Sequence, residues 1–160
     1  LCAVGAGFVS FPIWYPLVGL TGRFVAVFHC FMATTLNACI FGSMAGLIGL
    51  ICKTQLATAQ IGEPFGNSMI VFSGVLIIKR FIKPYAIPFY YALPISYAFE
   101  IEVTSALEHK GDDGEEVMSY YGLHAGNRRR NYAVLSSMLV FWICVGYAVA
   151  KSTIGAIDGR

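Results

Sequence analysis

From residue 24 to residue 52 the chain runs for 29 residues without a single Asp, Glu, Lys or Arg. A helix rises about 1.5 Å per residue, so about 20 apolar residues cross a hydrocarbon core of about 30 Å. This run is long enough to span a bilayer with tilt. Three more stretches have the same character. Residues 1–13 read as the end of a span, with Trp14 and Tyr15 at the membrane interface. Residues 58–78 form an imperfect span that holds Glu63, Pro64 and Asn67. Residues 132–150 enclose Trp142 and are closed by Lys151. The short link 53–57 joins the second and third spans as a tight helical hairpin. A chain that opens on Leu1, inside an apolar run and without a basic leader, is expected to be a piece of a longer protein.

Composition argues against the competing picture of a soluble all-α protein with buried helices. Hydrophobic residues make up 57% of the 160 residues and charged residues only 12%, against roughly 25% charged in soluble domains. Four such runs leave too little polar surface to cover them. The expectation is an all-α membrane protein with four transmembrane helices.

The polar stretch 79–131 differs from the spans. Pro84, Pro88 and Pro94 break its first part, which is also rich in tyrosine and phenylalanine. Irregular backbone at membrane depth must be shielded by protein, so residues 84–107 read as short re-entrant or interfacial helices before the last span. Gly111-Asp112-Asp113-Gly114-Glu115-Glu116 reads as an exposed turn. All five cysteines, Cys2, Cys30, Cys39, Cys52 and Cys144, lie in or beside apolar runs. The polar stretch therefore holds no internal disulfide.

Catalytic and metal signatures are missing from the sequence. It has no GxxxxGK[ST], GxGxxG or GxSxG. His109 and His124 have no partners at metal-ligand or triad spacing, and no catalytic or metal residue is assigned. Glu100 and Glu102 are two apart, so a helix points them to different faces, unlike an acid/base pair. The net charge of +2 is too small to indicate nucleic acid. Arg128, Arg129 and Arg130 beside an apolar run read as a membrane-edge anchor.

Polar residues within the spans carry the functional question. Glu63, Asn67, Ile70 and Gly74 recur at helical spacing on one face. A carboxylate in an apolar span costs roughly 3 kcal/mol or more, so such a face turns to a bundle interior or a water-filled path. The alternative for Glu63 is that it sits close enough to the aqueous end to snorkel. Gly42 and Gly46 form GxxxG, a spacing that lets helices approach closely in lipid. His29, Thr34, Thr35 and Asn37 read as helix-helix hydrogen-bonding groups rather than ligand contacts.

Several pieces, taken in order, resemble the ABC-2 type membrane domain of G-subfamily ABC transporters (the white and pleiotropic-drug-resistance type). Pro94-Ile95-Ser96-Tyr97-Ala98-Phe99-Glu100 resembles that family's Pro-x-x-Tyr-Ala-Phe-Glu, found in the re-entrant helices before the last span. Phe72-Ser73-Gly74-Val75-Leu76 resembles the Phe-Ser/Gly-Gly run that ends the fifth span. Gly62-Glu63-Pro64 stands where Gly-Pro-Pro is frequent. Tyr121-Gly122-Leu123 followed by Arg130-Asn131-Tyr132 resembles the Tyr-Gly…Trp-Arg-Asn-Phe that leads into the last span. The chain departs from the pattern at Thr104-Ser105-Ala106-Leu107, which replaces Val-Asn-Glu-Phe, and at Arg129, which replaces Trp. It also has no cysteine in the loop that carries disulfides in many members.

The resemblance implies the C-terminal half of the membrane domain of an ATP-driven exporter. It places Glu63, Asn67 and Ile70 on the cargo cavity, and Val75 and Leu76 in the apolar plug above it. It further implies a nucleotide-binding domain in the same longer chain, which would hold ATP and Mg, and a second transmembrane half paired with this one, as a homo- or heterodimer or in a full-length tandem. Apolar or amphipathic cargo such as a lipid, sterol or drug would fit. The family topology puts 79–130 outside and 53–57 in the cytoplasm, although Lys79, Arg80, Lys83, Lys110 and Arg128 to Arg130 would favour the cytoplasm for the long loop; earlier spans usually dominate orientation. A non-ABC carrier or channel, or a transport-inactive fragment, is the competing reading. A carrier would need coupling carboxylates in mid-span, and only Glu63 offers one.

Overall fold

A computed structural model describes residues 24–52, 54–72, 78, 81–108 and 111–158. The described residues form helices joined by turns, with no strand among them. In chain order the helices are α1 (Phe24–Ile51), α2 (Gln55–Phe72), α3 (Ile87–Ala92), α4 (Pro94–Leu107), α5 (Asp112–Tyr121) and α6 (Arg128–Asp158). A short 3-10 turn, Ala125–Asn127, precedes α6. The expected span over 1–13 lies outside the described residues, as do Val75 and Leu76.

Among the described residues, α1 and the segment Ala125–Thr153, most of which is α6, are each long and apolar enough to cross a membrane. Only 22% of the apolar window of the first and 6% of that of the second is buried inside the chain. The core helix of a soluble domain would be mostly buried. Here Val140, Phe141, Ile143 and Tyr147 of α6 point outward, as lipid-facing residues do.

Helices α1, α4 and α6 pack on one another. His29 meets Tyr132 near the starts of α1 and α6, so these two run the same way. Arg128 at the start of α6 pairs with Glu108 just past the end of α4, so α4 runs against them. Ala33, Ile40 and Met44 of α1 share one core with Leu93, Tyr97, Ala98 and Ile101 around α4, with Leu135 of α6 and with Met69 of α2. Helix α4 has 14 residues, about 21 Å, well short of a bilayer crossing.

The break between α3 and α4 is built by sequence. Pro94 has no N–H to continue the ladder and disfavours helical backbone at Leu93, which is extended (φ −94°, ψ 126°). The last carbonyls of α3 are then taken by side chains. The Ser96 hydroxyl lies 2.8 Å from the Tyr90 carbonyl and 2.7 Å from that of Leu93. The Tyr97 hydroxyl donates to the Tyr91 carbonyl at 2.9 Å.

The acidic run expected as a turn is instead the first turn of α5. Asp112, Asp113 and Glu115 stand at its N-terminus, where negative charge complements the unpaired N–H groups. The turn chemistry is confined to the helix ends. Gly122 takes the left-handed conformation (φ 69°) at the C-terminus, and the Leu123 N–H closes the cap on Met118.

Candidate functional site

Glu63, Asn67 and Ile70 lie on α2, and all three are exposed on this single chain. The neighbouring face of the same helix meets α1. There Thr58, Gly62, Phe65 and Gly66 line a shallow groove of about 100 Å³ with Phe41, Met44, Ala45 and Ile48. One residue turns a helix by about 100°, so the Glu63–Asn67 stripe is rotated away from α1 and stays open. Gly42 and Gly46 are exposed as well, and a Cβ at Gly46 would meet nothing within 4 Å. Any helix packed on these glycines lies outside the described residues.

What the fold does bring together is a set of polar side chains at the junction of α1, α4 and α6. Tyr132 Oη donates to the His29 carbonyl at 3.0 Å and lies 3.1 Å from His29 Nδ1. A phenol has one proton, so the imidazole donates from Nδ1 in return. Thr34 Oγ1 lies 2.8 Å from Glu102 Oε1 and 2.9 Å from the Cys30 carbonyl. On the other side of α4, Glu100 Oε1 accepts from the His124 backbone N–H at 3.4 Å and from Asn127 Nδ2 at 3.1 Å. The two glutamates do face apart. One ties α4 to α1 and the other ties it to the turn that starts α6. Thr34 and His29 act as interhelical groups, whereas Thr35 Oγ1 and Asn37 Oδ1 are buried without a partner.

Nothing in local spacing marks Thr34 and Glu102 as partners, since 68 residues separate them. The motif Pro94–Glu100 is legible in the sequence, but its work is structural. Pro94 breaks the helix, Ser96 and Tyr97 satisfy the broken end, Ala98 admits close packing at 2% exposure, and Glu100 anchors the loop.

Burial pushes the Glu102 carboxyl above its ordinary range, with the Thr34 hydrogen bond pulling more weakly the other way. A folded value above the unfolded one means that the native state holds this proton more tightly. The contribution of Glu102 is then most favourable below about pH 4.5, the unfolded value, and it falls as pH rises through the folded value. Glu102→Gln fixes the neutral form. This variant is expected to lose that part of the pH dependence and to be more stable than the parent at neutral pH. Thermal midpoints of both proteins in detergent between pH 4 and pH 8 check it; parallel curves would show that Glu102 does not titrate differently on folding.

Residues 2–105 match the family model of the ABC-2 type transporter. The chain therefore belongs to the ABC-2 type transporter family, and it is the membrane part of an ABC-type transporter. The match extends from before α1 through nearly all of α4. Membrane domains of this kind work in a bilayer together with nucleotide-binding domains. A comparison with curated proteins returned no match.

Proposed function

We propose that this chain is the C-terminal half of a G-type membrane domain that exports apolar or amphipathic cargo. The single observation that best supports this reading is the α3–α4 hairpin. Helix α4 lies antiparallel to α6, and its beginning at Leu93 shares a core with Met44 and Trp142. Trp142 stands 14 residues past Arg128, about 21 Å along the helix. A hairpin whose tip lies that far along α6 and whose ends return to one side supports a re-entrant reading, and its Pro94–Glu100 run resembles the motif of that position in the G subfamily. On this reading α1, α2 and α6 are the fourth, fifth and sixth spans, and 1–13 ends the third.

Transport proceeds by alternating access. The exposed stripe of Glu63, Asn67 and Ile70 lines the cargo path, facing the second transmembrane half, and Val75 and Leu76 close it on the outer side. Gly42 and Gly46 pack against a helix outside this chain. ATP and Mg belong to the nucleotide-binding domain; no residue here is assigned to hold them. This chain binds, orients and releases cargo and performs no covalent chemistry.

The test is transport by the intact parent protein in proteoliposomes, measured beside its ATPase activity. Asn67→Leu is expected to change the rate for a polar-headed cargo several-fold while leaving insertion intact. Leu76→Ala is expected to leak, so that more ATP is consumed for each molecule exported. Normal rates and normal coupling in both variants would return these residues to packing roles.

A further inference from the structure

Asn131 has 0% exposure, and neither its amide nitrogen nor its amide oxygen has a protein partner. A buried primary amide with nothing to bond keeps the full cost of losing its water, and native structures rarely tolerate it. Two further unpaired atoms lie at the same end of the molecule. Ser105 Oγ is buried at 1% exposure, and Arg128 Nε is buried although its guanidinium bonds Glu108.

The helix register brings these groups to one level. Glu108 pairs with Arg128, and Ile101 shares the core with Leu135. The helices are antiparallel, so three residues inward from the Glu108–Arg128 pair lie Ser105 on α4 and Asn131 on α6, at matching levels. Arg128 precedes Asn131 by three residues, on the same face of α6.

We propose that Ser105, Asn131 and Arg128 form a binding site for one buried water molecule between α4 and α6. The chemistry selects water over an ion. Asn131 Nδ2 and Arg128 Nε donate, Asn131 Oδ1 accepts, and Ser105 does either. A cation would face the Arg128 charge, and an anion would face Oδ1 and the Glu108 carboxylate. A neutral molecule that both donates and accepts meets all of them, and two to four polar partners are what a buried water requires. The site lies about one turn inside the ends of both helices, so it fills without a passage through the apolar core. No second subunit reaches it, because Asn131 is enclosed by its own chain.

The experiment uses the full-length parent protein. A reconstruction at a resolution that shows ordered water is expected to place a density peak within hydrogen-bond distance of both Asn131 and Ser105. Absence of that peak, or a direct Asn131–Ser105 bond in its place, overturns the proposal. A mutant cycle supplies the second measurement. Asn131→Leu and Ser105→Ala are each expected to lower the thermal midpoint by several degrees. The double variant removes the site rather than half-emptying it, and should fall by clearly less than the sum of the two shifts. Strict additivity also overturns the proposal. Should Asn131→Leu fail to fold, Asn131→Ala replaces it in the same cycle.

Discussion

Replacing Ile101 by alanine is expected to destabilise the membrane domain by about 2–5 kcal/mol. Ile101 is completely buried and sits in the core shared by α1, α4 and α6. Truncation removes three carbons from a site whose walls belong to three different helices. Those walls are held by Tyr132 on His29, Thr34 beside Glu102 and Arg128 on Glu108, so they collapse poorly around a void. Lipid does not fill it, because no part of Ile101 reaches the surface. Ile101→Val should cost only about 0.5–1.5 kcal/mol. Unfolding of the purified parent protein in mixed micelles, followed with denaturing detergent, measures both. Equal and small losses would mean that α4 is loosely seated between the two long helices.

The second large effect is expected at Glu100. Its carboxylate, 7% exposed, takes a hydrogen from the His124 backbone and another from Asn127. Both donors lie at the turn that aims α6. Glu100→Ala removes both bonds, which join part-buried groups, at a cost of about 0.5–1.5 kcal/mol for each. It also releases the lead-in to α6 from α4. Glu100→Gln retains an acceptor oxygen and should keep most of the stability. The alanine variant should show a lower thermal midpoint and a smaller assembled fraction in size-exclusion profiles, with the glutamine variant near the parent. An alanine variant that behaves as the parent would assign these bonds no net contribution.

Hydropathy made the long helices legible because the bilayer and the helix impose lengths that the sequence must meet. The uncharged run 24–52 became α1, Phe24–Ile51, almost residue for residue. For α6 the apolar run 132–150 marked only the middle of a helix that starts at Arg128 and ends at Asp158. Hydropathy reports the stretch suited to hydrocarbon, while a helix continues through arginines that favour the interface. The prolines announced the α3–α4 break correctly, since the missing N–H is a local fact. The acidic segment misled, because Asp and Gly mark turns and helix starts alike, and α5 follows at once. The pairing of Thr34 with Glu102, and the isolation of Asn131, were illegible for another reason. They depend on which faces meet after α4 has docked, and no local pattern records that.

The hairpin tip has a mechanical consequence. The hydroxyls of Ser96 and Tyr97 and the Leu93 N–H serve the carbonyls of Tyr90, Leu93 and Tyr91 from within the same short stretch. These three carbonyls therefore do not rely on any neighbouring helix. If α4 shifts along α1, it exchanges side-chain contacts but keeps the bonds to these three carbonyls. At these carbonyls the tip is insulated in the electrical sense: their polarity is spent internally, so a small axial displacement there meets resistance from shape and not from unsolvated backbone.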